Sequence, residues 1–497
     1  MSENITTISN NIWSLANVLR DDGVGNTKYL QQITYLLFLK MVDEYSKPPY
    51  NRDLKLPEGC SWSDLVDKDG AELNDKYELI LKTLAAQPGI LGQMYARSHN
   101  EISKPANLKK VINMIDKQNW SMLGQDVKGV IYEDLLQKVA EDTKSGAGQY
   151  FTPRPLINTI VNCVKPKPDK TICDPACGSG GFLLSSYQYI TDPTNNSLNK
   201  EQKRKLKFST FYGWEIVQET FQECLMNLFL HGIGDLVGDI PVTITCTDSL
   251  LSKPSQLFDY VLANPPFGRK SSYSITNEEG EEEKEEQTYS RQDFWTVTSN
   301  KQLNFLQHIY SILKKDGKAA VVLPDNVLFE MNGGGDTVRQ KLLELSNVHT
   351  ILRLPTGIFY KQGVKANVVF FDNKPASKEF KTKEVWVYDY RTGIHHTLKK
   401  NPLKESDLYD FVKCFKSEDI TARVETYSEA NPTGRWRKYS IDEIEENGYR
   451  LDLKWLKSVE DDDDRSLAEL FEELKEKSES IAKAVRELEL LIGDIEE

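Results

Sequence analysis

Apolar and polar positions follow two rhythms along this chain, and the change between them falls near residue 145. Before it the spacing is helical. Ile12, Leu15, Ala16 and Leu19 recur three or four positions apart, as do Ile33, Leu36, Leu37 and Met41, with Lys40 the polar interruption. Residues 1–145 are therefore expected to form a helical domain packing against a core or a partner; no cluster of catalytic residue types lies in it. From 146 to 400 short apolar runs alternate with helix-period stretches, the pattern of an α/β fold with a mostly parallel, doubly wound sheet. The runs predict strands at 171–174, 208–214, 242–246, 258–263, 318–323, 348–354, 366–371 and 384–390. Ligands on such sheets bind beyond the carboxyl ends of the strands. Four polar groups stand at successive ends: Asp174, Glu215, Asp248 and Asn264. One such group is commonly a helix cap, and Thr247-Asp248-Ser249 can be read that way. Four in succession make a site.

Two stretches break the rhythm. Residues 269–297 carry the run Glu278-Glu279-Gly280-Glu281-Glu282-Glu283-Lys284-Glu285-Glu286, too acidic to bury, and read as a solvated insertion. After 400 the sheet patterning fades into an extension spanning 401–464. Within it Arg435-Trp436-Arg437-Lys438 suits either nucleic acid or a patch packed on the core. Beyond Asp461-Asp462-Asp463-Asp464, the residues Leu467, Leu470, Leu474, Ile481, Ala484, Leu488, Leu491 and Ile495 take heptad positions, with Lys477 the break. A helix over 465–497 is expected. An exposed apolar stripe after an acidic linker favours an intermolecular bundle over a fold-back.

At 497 residues the chain can bury a large core and hold more than one domain. No apolar run approaches the ~20 residues of a membrane span, and Met1-Ser2-Glu3-Asn4 begins no secretion signal. Seven cysteines without a C-x-x-C pair suit reduced thiols in a cytoplasmic protein rather than disulfides or a metal site.

The chemistry concentrates in two motifs. Asn264-Pro265-Pro266-Phe267 follows the apolar run Tyr260-Val261-Leu262-Ala263. An exocyclic amine conjugated with its ring is a poor nucleophile. An Asn oxygen and a backbone carbonyl, both accepting its N–H bonds, push it toward a pyramidal geometry. The prolines stiffen the loop that aims them, and Phe267 offers a face to an extruded base. Upstream, Thr171-Ile172-Cys173-Asp174 runs into Pro175-Ala176-Cys177-Gly178-Ser179-Gly180-Gly181-Phe182. This glycine turn lets a ligand approach the backbone closely. It lacks both the G-x-G-x-x-G spacing and a following Lys-Ser/Thr, so it is neither a dinucleotide fingerprint nor a Walker loop. An Asp before such a turn suits a ligand bearing an ammonium group, as in S-adenosylmethionine.

These two motifs resemble the donor-binding and catalytic motifs of amino-group DNA methyltransferases. Gly146-Ala147-Gly148-Gln149-Tyr150-Phe151-Thr152-Pro153-Arg154 resembles their N-terminal donor motif, and the order of the three is that of the adenine-N6 class. Further stretches extend the resemblance to the methylation subunits of type I restriction–modification systems: Thr298–Leu303, Leu323–Phe329 and Leu354–Phe359, with Tyr29–Met41 and Arg435–Lys438 toward the termini. The resemblance implies a Rossmann-like S-adenosylmethionine-dependent domain over 146–400 that methylates adenine N6. By it Glu215 would take both ribose hydroxyls of the donor and Asp248 its adenine amine. Phe151, Thr152 and Pro153 would close over the methionyl end, above Asp174, Gly178, Ser179, Gly180 and Gly181, with Gln149, Tyr150 and Arg154 also among the donor-binding residues. It implies double-stranded DNA, a specificity subunit, a second copy of the methylation subunit and a restriction subunit as partners. The net charge of −13 agrees: DNA affinity comes largely from Lys and Arg, so a partner must supply most phosphate contacts. Cytosine-C5 methylation is disfavoured because no Pro-Cys dipeptide is present. A protein glutamine methyltransferase, which shares the Asn-Pro-Pro-aromatic pattern, and a non-catalytic assembly subunit are the alternatives.

Overall fold

The computed structural model describes residues 2–21, 23–25, 28–48, 51, 56–118, 120, 134–135, 138, 152–234, 243–268, 272–276, 282–286, 288–359, 364–375, 379–397, 400–456 and 478. Residues Met1–Lys454 form one compact unit and Trp455–Glu497 a second; the heptad helix expected over 465–497 lies outside the described residues.

Apolar runs of the middle region become the strands of one nine-stranded sheet: β1 (Ile172–Asp174), β2 (Phe211–Glu215), β3 (Ile244–Cys246), β4 (Phe258–Ala263), β7 (Leu313–Pro324), β8 (Ser346–Arg353), β9 (Ala366–Asn373), β10 (Glu384–Asp389) and β11 (Trp436–Ser440). Their order across the sheet is β3-β2-β1-β4-β7-β9-β8-β10-β11. Strands β3 to β7 pair in parallel, as do β8 and β10, whereas β9 runs antiparallel between β7 and β8, and β11 antiparallel along β10. All eight predicted strands form, their ends shifted by a few residues. Central β1 is buried throughout and β4 nearly so, which is why both read as continuous apolar runs rather than alternating ones.

Three departures from the sequence reading have physical causes. Strand β7 begins at Leu313 rather than 318: Leu313 pairs with Phe258 and Lys318 with Tyr260, so the polar Lys314-Lys315-Asp316-Gly317 bulges between them and hides the strand's start. Strand β11 was masked by its cations. Trp436 is fully buried, stacked on Trp386 with ring centroids 5.2 Å apart, while Arg437 lies over the Tyr427 and Tyr439 rings. The Arg435–Lys438 stretch therefore packs on the core. Within 269–297, read as solvated, two strands form an antiparallel hairpin, β5 (Ser272–Thr276) and β6 (Glu282–Glu286). The segment after it is anchored, with Tyr289 buried and Arg291 paired to Asp293 at 2.6 Å.

The N-terminal helices include Ser2–Asp21, Lys28–Ser46, Gly70–Ala85 and Pro105–Asp116. Lys28–Ser46 is buried on nearly every side, as befits a helix at the centre of a bundle. Its polar interruption is neutralised: Lys40 Nζ lies 2.9 Å from Asp116 and 3.3 Å from Glu44. The bundle docks on helix Gln218–Leu230, which follows β2. Phe38 meets Phe229 at 5.1 Å. Beside them Gln222 accepts from Gln31 (3.0 Å) and Tyr35 (3.3 Å) and donates to the Ala96 carbonyl (2.6 Å). Among the described residues no helix is long and apolar enough to cross a membrane.

Phe38 is 2% exposed at this junction. Phe38→Ala is expected to cost about 3–5 kcal/mol of stability, read as a lower denaturant midpoint.

Candidate active site

Strand order reverses between β1 and β4, with β2 and β3 on one side and β7 on the other. At such a switch point the loops diverge and leave a crevice. The register pairs Ile172 with Tyr260 and Cys173 with Val261, so the chain beyond Asp174 and the chain beyond Ala263 leave the sheet side by side. In sheet order the four strand-end groups come as Asp248, Glu215, Asp174 and Asn264.

The glycine turn after β1 is closed by its own backbone. Asp174 Oδ1 accepts the Ala176 N–H at 3.0 Å, Cys177 N–H donates to the Trp214 carbonyl of β2 at 2.9 Å, and Gly180 N–H donates to the Cys177 carbonyl at 2.8 Å. Gly178 (φ +52°) and Gly180 (φ +86°) are left-handed, and a Cβ on Gly180 would stand 3.1 Å from Cys224 Sγ. The Ser179 carbonyl accepts from Asn227 at 2.9 Å. Cys173 and Cys177 are buried side chains in this packing.

Glu215 bridges the turn to the next helix, taking the Gly178 N–H at 3.1 Å and the Val217 N–H at 2.8 Å. Asp248 takes the Leu250 N–H at 2.9 Å and the Tyr289 hydroxyl at 2.7 Å. It closes a turn, and no helix follows it before β4. Next to it Leu250, Tyr289 and Phe305 form a small apolar cluster with Ala176 and Phe294. The neighbouring Ile216 (66%) and Leu251 (60%) are left open to solvent.

Burial governs the acidic groups. It pushes Asp174 up to about 8 despite the Ala176 N–H, with Glu215 adding repulsion. Burial raises Glu215 as well, opposed by its backbone bonds, and lifts Glu223 to about 8 with help from Glu219 and Glu215. Among the described residues no cation pairs with Asp174. Burial therefore favours the neutral form of Asp174 in the free protein.

On the β4 side, Asn264 Nδ2 donates to Thr152 Oγ1 at 2.7 Å, while Asn264 Oδ1 is buried with no partner among the described residues. The next loop is clamped from behind: Gln302, 1% exposed, donates from Nε2 to the Pro266 carbonyl (3.1 Å) and the Gly268 carbonyl (2.6 Å). Phe267 meets Phe359 edge-on at 5.5 Å. Phe359 arrives on a loop whose Gly357 has φ +85° and admits no side chain, a Cβ there lying 1.9 Å from the His396 carbonyl oxygen.

Thr152 and Pro153 lead into helix Arg154–Val164, and Arg154 donates to the Gly181 carbonyl at 2.9 Å. Hydrogen bonds therefore link the 152–154 segment to both the glycine turn's helix and the Asn264 loop. Gln149, Tyr150 and Phe151 lie outside the described residues. Gln302, Tyr289 and Phe359 were not singled out from sequence, because each acts through a neighbour far along the chain. The signal available for Gln302 and Phe359 was their place in family-like stretches. Among the described residues no group of three or more His, Cys, Asp or Glu could hold a metal.

The sequence model of the N-6 DNA methylase family matches residues 123–465. The chain belongs to this family. The HsdM N-terminal domain model matches residues 8–115 of the methylase. The methylase subunit of the type I restriction enzyme StySPI from Salmonella potsdam is 36% identical over 97% of this chain and 94% of its own length. The EcoKI methylase subunit of Escherichia coli K12 has the same identity and coverage. The crystal structure of the EcoKI M protein superposes with a TM-score of 0.54 at 31% identity, covering 97% of this chain and 96% of that one. A chain from the type I restriction–modification system studied for complex assembly and conformational transition gives 0.72 at 25% identity, covering 98% of each. By family the methylase is a type I methylation subunit and an adenine-specific DNA methyltransferase, and its sheet is the α/β methyltransferase fold.

Two outcomes follow for the site. Between pH 4 and 8 the free protein holds a proton on Asp174 that the unfolded chain has released. This group's contribution to stability is full below about 4 and is lost as pH rises through about 8. A ligand presenting an ammonium group should therefore expel that proton at pH 7 and bind more tightly as pH rises toward 8. Calorimetry in two buffers of different ionisation enthalpy should register the release, and Asp174→Asn should abolish it. Gln302→Met leaves the Pro266 and Gly268 carbonyls unpaired. Turnover is expected to fall about 10-fold or more, with the melting temperature lowered only slightly.

Proposed function

We propose that this chain transfers the methyl group of S-adenosylmethionine to N6 of adenine in double-stranded DNA, as the methylation subunit of a type I restriction–modification enzyme. The observation that carries this reading is the Oδ1 of Asn264, buried without a partner among the described residues at the tip of β4, beside a glycine turn that follows the buried Asp174. An amide oxygen left unpaired in a buried place costs stability, and an amine's N–H would satisfy it.

The residues present fit the donor. Asp174 offers a carboxylate to an ammonium group, the turn of Gly178, Ser179, Gly180 and Gly181 lets the backbone approach closely, and Glu215 suits a pair of ribose hydroxyls. Asp248 suits an exocyclic amine, between the apolar cluster of Leu250 and Tyr289 and the open side chains of Ile216 and Leu251. Phe151, Thr152 and Pro153 would close over the methionyl end, with Gln149, Tyr150 and Arg154 also among the donor-binding residues. When bound, the donor supplies an electrophilic methyl on a sulfonium. Everything else is positioning by the chain. The target adenine leaves the helix at a cost of roughly a few kcal/mol and stacks on Phe267, whose ring Phe359 steadies. Asn264 Oδ1 and the Pro265 carbonyl accept the two N–H bonds of its amine, directing the lone pair at the methyl group, while Pro265 and Pro266 keep the loop rigid. Catalysis then consists of orientation and preorganised electrostatics, with no covalent enzyme intermediate.

The net charge of −13 supports a division of labour in which a specificity subunit selects the sequence and carries most phosphate contacts. A second copy of the methylation subunit would act on the other strand, and a restriction subunit would join the full complex. Methylation then protects host DNA. Such an enzyme works in the cytoplasm.

Coexpression with a cognate specificity subunit should produce methyladenine at a single bipartite motif, detected by modified-base sequencing. Asn264→Ala should abolish it while subunit assembly and donor binding persist. Methyladenine surviving in that variant, or absent from the wild type, would refute the assignment.

A further inference from the structure

An Asn amide presents an oxygen at one end and an NH2 at the other, and the rotation that exchanges them is a broad, nearly two-fold torsion. The chemistry proposed above tolerates only one of the two settings. With Oδ1 toward the target, the amide accepts an N–H from adenine. With Nδ2 there, two N–H groups face each other and the base is repelled. The target's own N–H bonds favour the first setting, but the amide must be held in place to offer it.

Among the described residues one partner anchors it: Thr152 Oγ1 lies 2.7 Å from Asn264 Nδ2, while Asn264 Oδ1 is buried without a partner among them. The hydroxyl sits on a stiff mount. Thr is β-branched, with restricted χ1, and here it is 9% exposed. It directly precedes Pro153, which opens helix Arg154–Val164 and whose carbonyl accepts the Leu156 and Ile157 N–H groups. That helix buries Leu156, Ile157, Ile160 and Val161, and Arg154 pins its start to the Gly181 carbonyl. A displacement of Thr152 would have to drag this whole assembly with it.

We propose that Thr152 is a positioning residue for the catalytic amide: its hydroxyl oxygen accepts Asn264 Nδ2–H and anchors the amide with Oδ1 toward the target amine, whose N–H bonds select that setting over the flipped one. The inference rests on the adenine-methylation reading of this site, but it gives Thr152 a duty distinct from closing over the donor. A residue on the donor side of the crevice anchors a group on the base side.

The test uses the complex of this chain with its specificity subunit, comparing wild type, Thr152→Val and Thr152→Ser. Valine keeps the branched shape and removes the hydroxyl; serine keeps the hydroxyl. Thr152→Val should lower kcat by about 10–100-fold, with KM for DNA and Kd for S-adenosylmethionine within about 3-fold of wild type. Thr152→Ser should recover most of the lost turnover. Fluorescence of 2-aminopurine at the target position should rise equally on binding of all three proteins, since extrusion of the base precedes the step affected. Turnover of the valine variant within threefold of wild type would overturn the proposal. So would a serine variant as slow as valine, or a loss explained by weaker donor binding. A wild-type complex that makes no methyladenine would instead overturn the reading beneath it, and this inference with it.

Discussion

The parallel pairing of β1 with β4 at the centre of the sheet is the contact on which the site depends. Ile172 faces Tyr260 and Cys173 faces Val261 in register. Both strands are buried on both faces, so the register is enforced by apolar packing rather than by any group in the crevice. A slip of one residue would turn every side chain of β4 to the opposite face and carry Asn264 away from the glycine turn. The chemistry is thus aligned by residues that never touch a ligand. Strand order reverses at this same pair, so the loops that follow diverge and open the crevice there.

Around that pairing the site is built as a set of clamps with a few unused valences. Glu215, Asp248 and the Ser179, Pro266 and Gly268 carbonyls all have partners within the protein. Among the described residues Asn264 Oδ1 does not, and no cation pairs with Asp174. Gln302 Oε1 and Asn227 Oδ1 are likewise buried without a partner among the described residues; such groups raise the energy of the empty site, and a ligand that pairs with one of them relieves it. The same desolvation that lifts Asp174 toward neutrality strengthens its attraction for a cation once one is present.

The helical bundle is more than an appendage to this arrangement. It packs on helix Gln218–Leu230, whose start follows directly on Glu215 and Val217, and Gln222 lies in a hydrogen-bond network spanning the junction. Movement of the bundle as a body would be felt first at the Glu215 wall of the crevice. At the opposite edge of the sheet, β10 and β11 enclose an aromatic cluster of Trp386, Tyr388, Phe411 and Trp436. This extends the sheet without entering the site.

Much of this was legible in the linear order of residues. Continuous apolar runs marked the parallel strands because those strands are buried on both faces, and Asp174, Glu215, Asp248 and Asn264 could be placed at their ends by counting. The motif chemistry of Asn264–Phe267 and of the glycine turn is local, carried by neighbours in sequence, and so needed no fold to be read. What depends on distant partners was not legible. The clamp by Gln302, the hydroxyl of Tyr289 on Asp248, the edge of Phe359 on Phe267 and the bond from Asn264 to Thr152 each join residues dozens of positions apart or more. A side chain's partner across such a gap is decided by packing, to which the pattern along the chain is blind. The same holds for β11, whose cations conceal a buried Trp436, and for the hairpin of β5 and β6, whose acidic residues argued for solvent while the backbone paired. Sequence alone determined the eight strands read from apolar runs and the chemistry of the two motifs. Only the folded chain decided which buried atoms find partners and which do not, because that depends on packing between residues far apart along it.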